Sequence, residues 1–253
     1  MTEGDEKSRP RRRRWLWRVL AVLVAVLIAA VTGLVVAFPV VAAAACPRCF
    51  GLHQAGAGVY VDGSATPEQR RQMVDLVAAA RLRVRDYFGE TRTNPRALIC
   101  LTAGCYDHIG GGAEKGQAIR DRVLALSPDG ATVVIASHEL THAEQFRRLG
   151  SRYGQVPRWF HEGLAVLVSD DPRYLTPRPA GERCPIDYAV ALHAIRTSPK
   201  PSSSSVRAGQ EFYRDSACVV EHWAASHGGA DGVHDLNRRL LAGERFADLV
   251  PLT

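Results

Sequence analysis

Net charge is low outside the first 18 residues of this sequence, and lysine is rare throughout. The chain of 253 residues has a formal net charge of +6, but its first 18 residues hold seven basic side chains against three acidic ones. This segment therefore carries +4 and the rest only +2, which excludes the broad basic surface of a nucleic-acid-binding domain. Internal repeats are absent as well. The excess of arginine over lysine indicates a GC-rich bacterial genome and says nothing about chemistry.

Charged side chains are also absent from residues 19 to 45, a run long enough to cross a bilayer. A cluster of arginines precedes this run, so the positive-inside rule places the N-terminus in the cytoplasm. The apolar region of a cleaved signal peptide spans only about 7 to 15 residues, which favours an uncleaved anchor over cleavage after Ala45 or lipidation of Cys46. The sequence predicts a single-pass membrane protein with four parts: a basic cytoplasmic tail at 1–18, a transmembrane anchor at 19–45, a linker at 46–56 and an extracytoplasmic domain at 57–253.

All six cysteines lie outside the predicted span, and an even number in an oxidising compartment indicates disulfide bonds. Sequence alone permits many pairings. Proximity along the chain favours three pairs: Cys46 with Cys49, Cys100 with Cys105, and Cys184 with Cys218. The first pair could instead be a redox motif, but no thioredoxin-like pattern of strands and helices surrounds it.

The pattern of apolar residues predicts an α+β domain. Strands are expected at Gly58–Val61, Ala97–Leu101 and Arg122–Leu126. Thr66 begins a predicted amphipathic helix that extends to about Phe88, with apolar side chains along one stripe. Helices follow toward the C-terminus, so the sequence predicts a small sheet and a mainly helical second half.

Residues 138 to 142 read His-Glu-Leu-Thr-His, an H-E-x-x-H pattern on a predicted helix from about residue 131 to 149. The four-residue spacing places His138 and His142 one turn apart on one face, where two imidazoles can share a metal ion. Glu139 lies beside them and can accept a proton from a water that the metal activates. The alternative interpretation is a solvated polar helix face.

A catalytic zinc site needs three protein ligands and one open position, so a third ligand is expected elsewhere in the chain. Glu162 supplies it, on a second predicted helix that begins at Pro157. Gly163 would permit close approach of the two helices. The neighbouring His161 is the rival ligand, although it points about 100° away around the helix.

The motif at 138–142, followed by Pro157–Ala165 with the sequence P-R-W-F-H-E-G-L-A, resembles the gluzincin zinc metallopeptidases, in particular the small peptidase MA-like domains. In that clan a W-x-x-E-G-x-A segment provides the glutamate ligand, which matches Glu162. Weaker similarity extends over about residues 57 to 250. The resemblance implies a small mixed sheet packed over an active-site helix, with a substrate beside an edge strand, for which Arg122–Leu126 is the candidate.

The resemblance implies a membrane-anchored zinc metallopeptidase, in the form of an endopeptidase, with a peptide or protein as substrate. His138, His142 and Glu162 would bind Zn²⁺, and Glu139 would act as the general base. The G-x-M-E-N motif of the clan's aminopeptidases is absent. Gly112–Lys115 resembles that motif only weakly and is predicted to be a flexible loop.

Tyr213 is the candidate for stabilising the oxyanion, because the clan places a tyrosine or histidine at this point of the fold. A buried tyrosine whose hydroxyl is satisfied locally is an equal alternative. Weaker candidates are three histidines of the same region: His222, His227 and His234. The alternative to an enzyme is a catalytically silent domain that binds a peptide or protein partner, but such a domain has no need of Glu139.

Overall fold

The computed structural model describes residues 9–199 and 206–252 of the chain, which form a mixed α+β fold with mostly helical content. The strands in these ranges are β1 Leu52–Gly56, β2 Val59–Asp62, β3 Arg96–Ile99, β4 Gly116–Ile119 and β5 Val123–Leu126. The helices are α1 Arg9–Ala37, α2 Pro39–Ala45, α3 Pro67–Phe88, α4 Ala103–His108, α5 Val133–Leu149, α6 Arg158–Ser169, α7 Tyr188–Thr197, α8 Val206–Ser226, α9 Ala230–Leu241 and α10 Phe246–Leu249. The predicted α+β class is confirmed.

The five strands form one mixed sheet in the order β1-β2-β3-β5-β4. The three central strands are parallel, and the two outer strands pair antiparallel to their neighbours. The predicted strand at Arg122–Leu126 corresponds to β5, which lies between β3 and β4, so its assignment as the edge strand is wrong. The edge beside α5 is β4, whose sequence Gly-Gln-Ala-Ile has little of the alternation that reveals a strand.

Alternate residues of the central strands face two separate cores, as the two-residue period of a strand requires. Ile99 and Leu126 belong to the larger core, together with side chains of α3, α5, α6 and α8. Leu98 and Ala125 belong to the smaller core on the other face, which α2 and α4 cover. The sheet is therefore buried on both faces, and α5 lies on the side of the larger core.

Helix α3 shows how local sequence determines its own boundaries. Thr66 and Gln69 form a reciprocal capping box, which satisfies two backbone donors at the start of the helix. The buried side chains recur at helical spacing along one face: Val77, Ala80, Val84 and Phe88. The structure confirms the helix predicted from Thr66 to Phe88.

The N-terminal segment corrects the predicted membrane anchor at 19–45. This run does not form one helix, because α1 ends at Ala37 and Pro39 begins the separate helix α2. Helix α2 buries Val40 and Ala43 against the sheet. Within the described ranges, no helix combines the length and the apolarity that crossing a membrane requires. The prediction of a single-pass membrane protein is therefore wrong.

The folded domain also begins earlier than the predicted boundary at residue 57. Strand β1 lies inside the segment predicted to be a linker, and it pairs with β2 from Leu52 to Gly56. Sequence analysis missed β1 because it reads Leu-His-Gln-Ala-Gly, which lacks β-branched and aromatic residues.

The three disulfide bonds predicted from proximity are all present, and no described cysteine is free. Two of them close short loops, at Cys46–Cys49 and Cys100–Cys105. The third joins Cys184, in the loop after α6, to Cys218 in α8. This bond fixes the loop that follows the Glu162 helix against the helix that carries Tyr213.

Helices α6 and α8 approach each other closely at Gly163. A Cβ atom placed on this glycine would lie 2.3 Å from the backbone oxygen of Ser216, which no side chain tolerates. The predicted close approach therefore exists, but its partner is α8 and not α5. The contact holds α6, and Glu162 with it, in a fixed position relative to α8.

Candidate metal centre

Two histidines of α5 and one glutamate of α6 meet at a buried point of the domain. The Nε2 atoms of His138 and His142 lie 3.1 Å apart, and each lies 3.3 Å from Oε2 of Glu162. His138 and Glu162 are buried, while His142 is partly buried. These three residues, which are the predicted ligand set, could hold a metal ion.

Helix geometry explains why the three ligand atoms converge. Thr132 caps α5 by accepting a hydrogen bond from the Ile135 backbone N–H, and Gly150 ends the helix with a positive φ. The motif thus lies inside a regular helix of 17 residues. Helix α6 begins after Pro157 and packs along α5, which brings Glu162 over the two histidines.

The charge states of Glu162 and the two histidines are coupled. Burial tends to raise the pKa of Glu162. The nearby His142 and His138 lower it by more, so the pKa lies well below its ordinary value. Burial tends to lower the pKa of His142, and the carboxylate of Glu162 outweighs this effect, so that pKa is raised. Arg158 lies 3.2 Å from the second oxygen of Glu162. The carboxylate is therefore an anion that faces two imidazoles.

Nδ1 of His142 is buried and has no hydrogen-bond partner among the described residues. An imidazole that binds a metal through Nε2 carries its proton on Nδ1, where second-shell acceptors usually receive it. The ring nitrogen that faces Glu162 is thus the one with favourable partners, and the opposite nitrogen has none.

His161, the rival ligand, is turned away from the cluster. Its Nδ1 lies 2.5 Å from the side-chain oxygen of Gln145, and its Nε2 donates to the backbone oxygen of Tyr153 at 3.1 Å. The imidazole also stacks on the Tyr153 ring, with 4.0 Å between centroids. Burial lowers the pKa of His161 to about 4, so the ring is neutral at physiological pH. His161 therefore joins α6 to α5 and to the segment between them.

Glu139 faces a cavity of about 320 Å³ that also touches His138. Its carboxylate makes no hydrogen bond or ion pair with another described residue, so both oxygens are available to a bound molecule. Strand β4 forms one wall, since a Cβ on Gly116 would lie 3.1 Å from both Glu139 and Ile135. The segment Ala113–Gly116 belongs to this wall. Most of this segment was predicted from the sequence to be a loop, and it lines the site.

Tyr213 lies at the same cavity, with its ring centroid 6.0 Å from that of His138. Its hydroxyl is hydrogen-bonded to Arg158, and burial raises its pKa, as does the nearby Glu162. The structure thus brings Tyr213 to the cluster, as predicted, while giving its hydroxyl a local partner. Its position at the cavity is compatible with stabilising an oxyanion, and its contact with Arg158 is compatible with a hydroxyl satisfied locally.

The three weaker histidine candidates lie outside the cluster. His222 stacks on Tyr188 with 4.0 Å between centroids, and His227 contacts Trp223. His234 lies 3.3 Å from Arg148, in a separate polar group at the end of α5. Each has a structural role in the part of the chain that the structure describes.

Among the residues that sequence analysis missed, Arg158 contacts a ligand, while Arg173, Tyr174, Gly209 and Gln210 line the cavity. Arg158 could have been found, because it lies four residues before Glu162 and so on the same helix face. Arg173 and Tyr174 follow α6 in a loop that reaches the cavity. Nothing in the local sequence distinguishes them from ordinary loop residues.

No protein-family model matches this chain, and the searches of curated proteins and of solved structures also return no match. Function therefore has to be inferred from the residues of the cluster and the cavity beside it.

Proposed function

We propose that this protein is a zinc-dependent peptidase of the gluzincin type, and the triangle of ligand atoms is the observation that carries this proposal. Zinc ligands of this kind lie about 2.0 to 2.2 Å from the ion, so two of them at a tetrahedral angle are about 3.3 Å apart. The sides of the triangle formed by His138, His142 and Glu162 measure 3.1, 3.3 and 3.3 Å. Such a triangle fits one face of a zinc tetrahedron.

The chemistry of the donor set points to the same metal. Two neutral imidazoles and one carboxylate form the two-histidine, one-glutamate set of zinc hydrolases, which keep the fourth position open. Zinc bound there would supply a Lewis acid and would lower the pKa of a water molecule toward about 7. Nε2 of both histidines faces the carboxylate, so the atoms that would bind the ion already converge.

Glu139 is the residue that we assign to proton transfer. Its carboxylate is adjacent to the ligand face of α5, is partly exposed to the cavity and has no competing partner among the described residues. It can take a proton from the attacking water and give it to the nitrogen that leaves when the amide bond breaks. A carboxylate in a hydrogen-bonded pair would be less available for both steps.

Tyr213 and Arg158 are the donors that we assign to the substrate carbonyl. Both carry N–H or O–H groups beside Glu162, and they are hydrogen-bonded to each other. As negative charge develops on the carbonyl oxygen, a preorganised donor here would stabilise it. The Tyr213 hydroxyl would then exchange its bond with Arg158 for a bond to the substrate.

A substitution of Glu139 tests the enzymatic proposal directly. Glu139→Gln keeps the size of the side chain and removes the base, so kcat on unfolded casein should fall by at least about 100-fold. Zinc content should stay unchanged, because Glu139 is not a ligand. Glu182→Gln is the matched control, since Glu182 is exposed, lies in the loop after α6 and does not line the cavity.

Equal rates of casein cleavage with and without Glu139 would contradict the proposed role. A zinc-loaded wild-type protein that cleaved no unfolded protein or peptide would contradict the peptidase itself. That second result would favour the silent, partner-binding domain.

A further inference from the structure

The loop after α6 forms a wall of the cavity that the proposed hydrolysis does not use. Helix α6 ends at Ser169, and the next residue, Asp170, is a non-glycine residue in the left-handed conformation with φ 52°. This turn directs the chain back, so that Asp171 is fully buried and Arg173 reaches the cavity beside Glu139. The disulfide Cys184–Cys218 ties the far part of the same loop to α8. A cationic side chain is thus placed in the site by a constrained segment.

Asp171 holds the guanidinium of Arg173 in one orientation. The Nε–H of Arg173 lies 2.9 and 3.0 Å from the two carboxylate oxygens, and Nη2 donates to Oδ2 at 2.5 Å. The backbone N–H of Arg173 donates to Oδ1 at 3.0 Å. Asp171 has no exposed surface, whereas 42% of the Arg173 side chain is exposed. The negative charge is therefore enclosed by protein, and the positive charge is presented to solvent and cavity.

Part of the guanidinium remains available for a ligand. Nη1 of Arg173 makes no hydrogen bond with any described residue, and one face of the group lies over the Tyr174 ring at 5.1 Å. A planar guanidinium held by a carboxylate on one side and an aromatic ring on one face has lost most of its rotamer freedom already. Binding an anion there needs little further ordering.

A continuous wall of aromatic rings joins Arg173 to the metal centre. Tyr174 stacks on Tyr213 with 5.7 Å between centroids, and Tyr213 lies 6.0 Å from the His138 ring. An extended peptide rises about 3.3 Å per residue. If the cleaved amide bond of a peptide lies at His138, a group a few residues farther along that peptide would therefore reach Arg173.

The other charges of the cavity do not cancel this cation. Lys115 adds a second positive charge on the β4 side. Glu114 is present as well, but its Oε1 already accepts hydrogen bonds from the Tyr106 hydroxyl, the Gly112 backbone and Gln117. Asp171 offsets the charge of Arg173 from outside the cavity, so the free N–H groups of the guanidinium and Lys115 are what the cavity offers to an anion.

We propose that Arg173 is a specificity residue that binds a carboxylate of the substrate, supplied by an acidic side chain or by a free C-terminus a few residues from the cleaved bond. Guanidinium groups bind carboxylates through charge-assisted, paired hydrogen bonds, which no neutral isostere reproduces. This inference rests on the proposed peptidase function for its biological meaning. The binding of a carboxylate can still be measured without hydrolysis.

The test uses zinc-loaded protein carrying Glu139→Gln, so that peptides are bound and not cleaved. Three alanine peptides serve as probes: one blocked at both ends with a single glutamate, one identical but with glutamine, and one without either residue but with a free C-terminal carboxylate. We expect at least one carboxylate peptide to bind about tenfold more tightly than the glutamine peptide in a calorimetric titration. The probe that gains affinity identifies the source of the carboxylate.

Two variants assign the preference to Arg173. Arg173→Gln should make the three affinities equal, and the double variant Asp171→Asn with Arg173→Gln covers the case in which an unpaired buried Asp171 prevents folding. Arg183→Gln is the matched control, because Arg183 pairs with Asp170 in the same loop and does not line the cavity. The control should retain the full tenfold preference.

Equal affinity for all three peptides with Arg173 present would overturn the inference. So would a carboxylate preference that persists in both Arg173 variants. Hydrolysis is measured separately, on wild-type protein. A carboxylate preference without any cleavage would support the role of Arg173 while contradicting the peptidase proposal, so the two failures are distinguishable.

Discussion

Two buried carboxylates lie at α5: Glu144 belongs to the helix itself, and Glu162 of α6 faces the middle of it. Glu144 has no exposed surface and accepts hydrogen bonds from the backbone N–H groups of Arg92 and Thr93. It also accepts one from Nε of Arg148 at 2.7 Å. This carboxylate is surrounded by donors, so its charge is satisfied entirely by protein.

Glu162 is buried to a similar degree but has different neighbours. One of its oxygens is paired with Arg158, while the other faces two imidazole nitrogens at 3.3 Å. Those nitrogens also face each other at 3.1 Å. A neutral imidazole nitrogen without a proton is an acceptor, so the three atoms cannot all be satisfied by one another.

The Glu144 group is thus a polar cluster that stabilises the fold, whereas the Glu162 group could hold a metal ion. The Glu144 group pairs donors with acceptors and joins α5 to the loop after α3, which is a structural role. The Glu162 group gathers three lone pairs at one point, which a cation satisfies at once. If the two groups differ in this way, substitutions in them should have different consequences.

The largest expected effect comes from breaking the satisfied cluster. Arg148→Met would leave the buried charge of Glu144 without its cationic partner and should lower the free energy of unfolding by about 3 to 5 kcal/mol. Denaturant titration of metal-free protein measures this change. Zinc binding per folded molecule should be unaffected.

The neighbouring Arg147 provides a matched control for that experiment. It pairs with Asp121 at 3.7 Å on the exposed side of the same helix. Arg147→Met should change stability by less than about 1 kcal/mol. Similar losses of unfolding free energy in both variants would show that the buried Glu144–Arg148 pair contributes no more to stability than an exposed pair.

A smaller effect is expected from the donor beside the ligand cluster. Tyr213→Phe removes a hydroxyl that we assign to the developing oxyanion, so kcat on unfolded casein should fall about 100-fold with little change in KM. Tyr188→Phe removes a hydroxyl outside the cavity, on a ring that stacks on His222, and should leave kcat nearly unchanged. Equal effects of the two substitutions would assign Tyr213 a packing role only.

The smallest effect is a pH dependence of zinc affinity. The neighbouring carboxylate of Glu162 outweighs the effect of burial and raises the pKa of His142 above its ordinary value of 6.5. Zinc needs the neutral imidazole, so protons compete with it below this raised pKa. Affinity should fall about tenfold per pH unit on lowering the pH from a point above 6.5. Calorimetry at several pH values measures this slope. A zinc affinity that stays the same from pH 8 to pH 5 would contradict the assignment of His142 as a ligand.

Local sequence was sufficient to predict the elements that carry the cluster. The start of α3 after Thr66 was predicted from its capping residues, and the predicted end of the motif helix at about residue 149 agrees with α5, which ends at Leu149. The spacing of His138 and His142 fixes their common face. Predicting Glu162 required a second motif. In the structure its carboxylate lies 3.3 Å from His138 and from His142.

Contacts between distant segments could not be predicted in the same way. Strand β4 became the edge because of its pairing with β5, which its four weakly patterned residues do not encode. The apolar run at 19–45 contains Pro39, where the chain begins a second helix that packs on the sheet. Arg173 reached the cavity through a turn at Asp170 and a salt bridge to Asp171. Each of these depends on packing that only the folded chain supplies.

The most direct test of the central claim is the metal content of the purified full-length chain, wild type beside Glu162→Ala, after equilibration with zinc and removal of free ions. We expect about one zinc ion per wild-type chain and little in the variant, since two histidines alone are an incomplete catalytic set. Unchanged folding of the variant, monitored by circular dichroism, completes the comparison. A folded wild-type protein that binds no zinc, or a Glu162→Ala variant that binds it equally well, would contradict the assignment of this cluster as a metal centre.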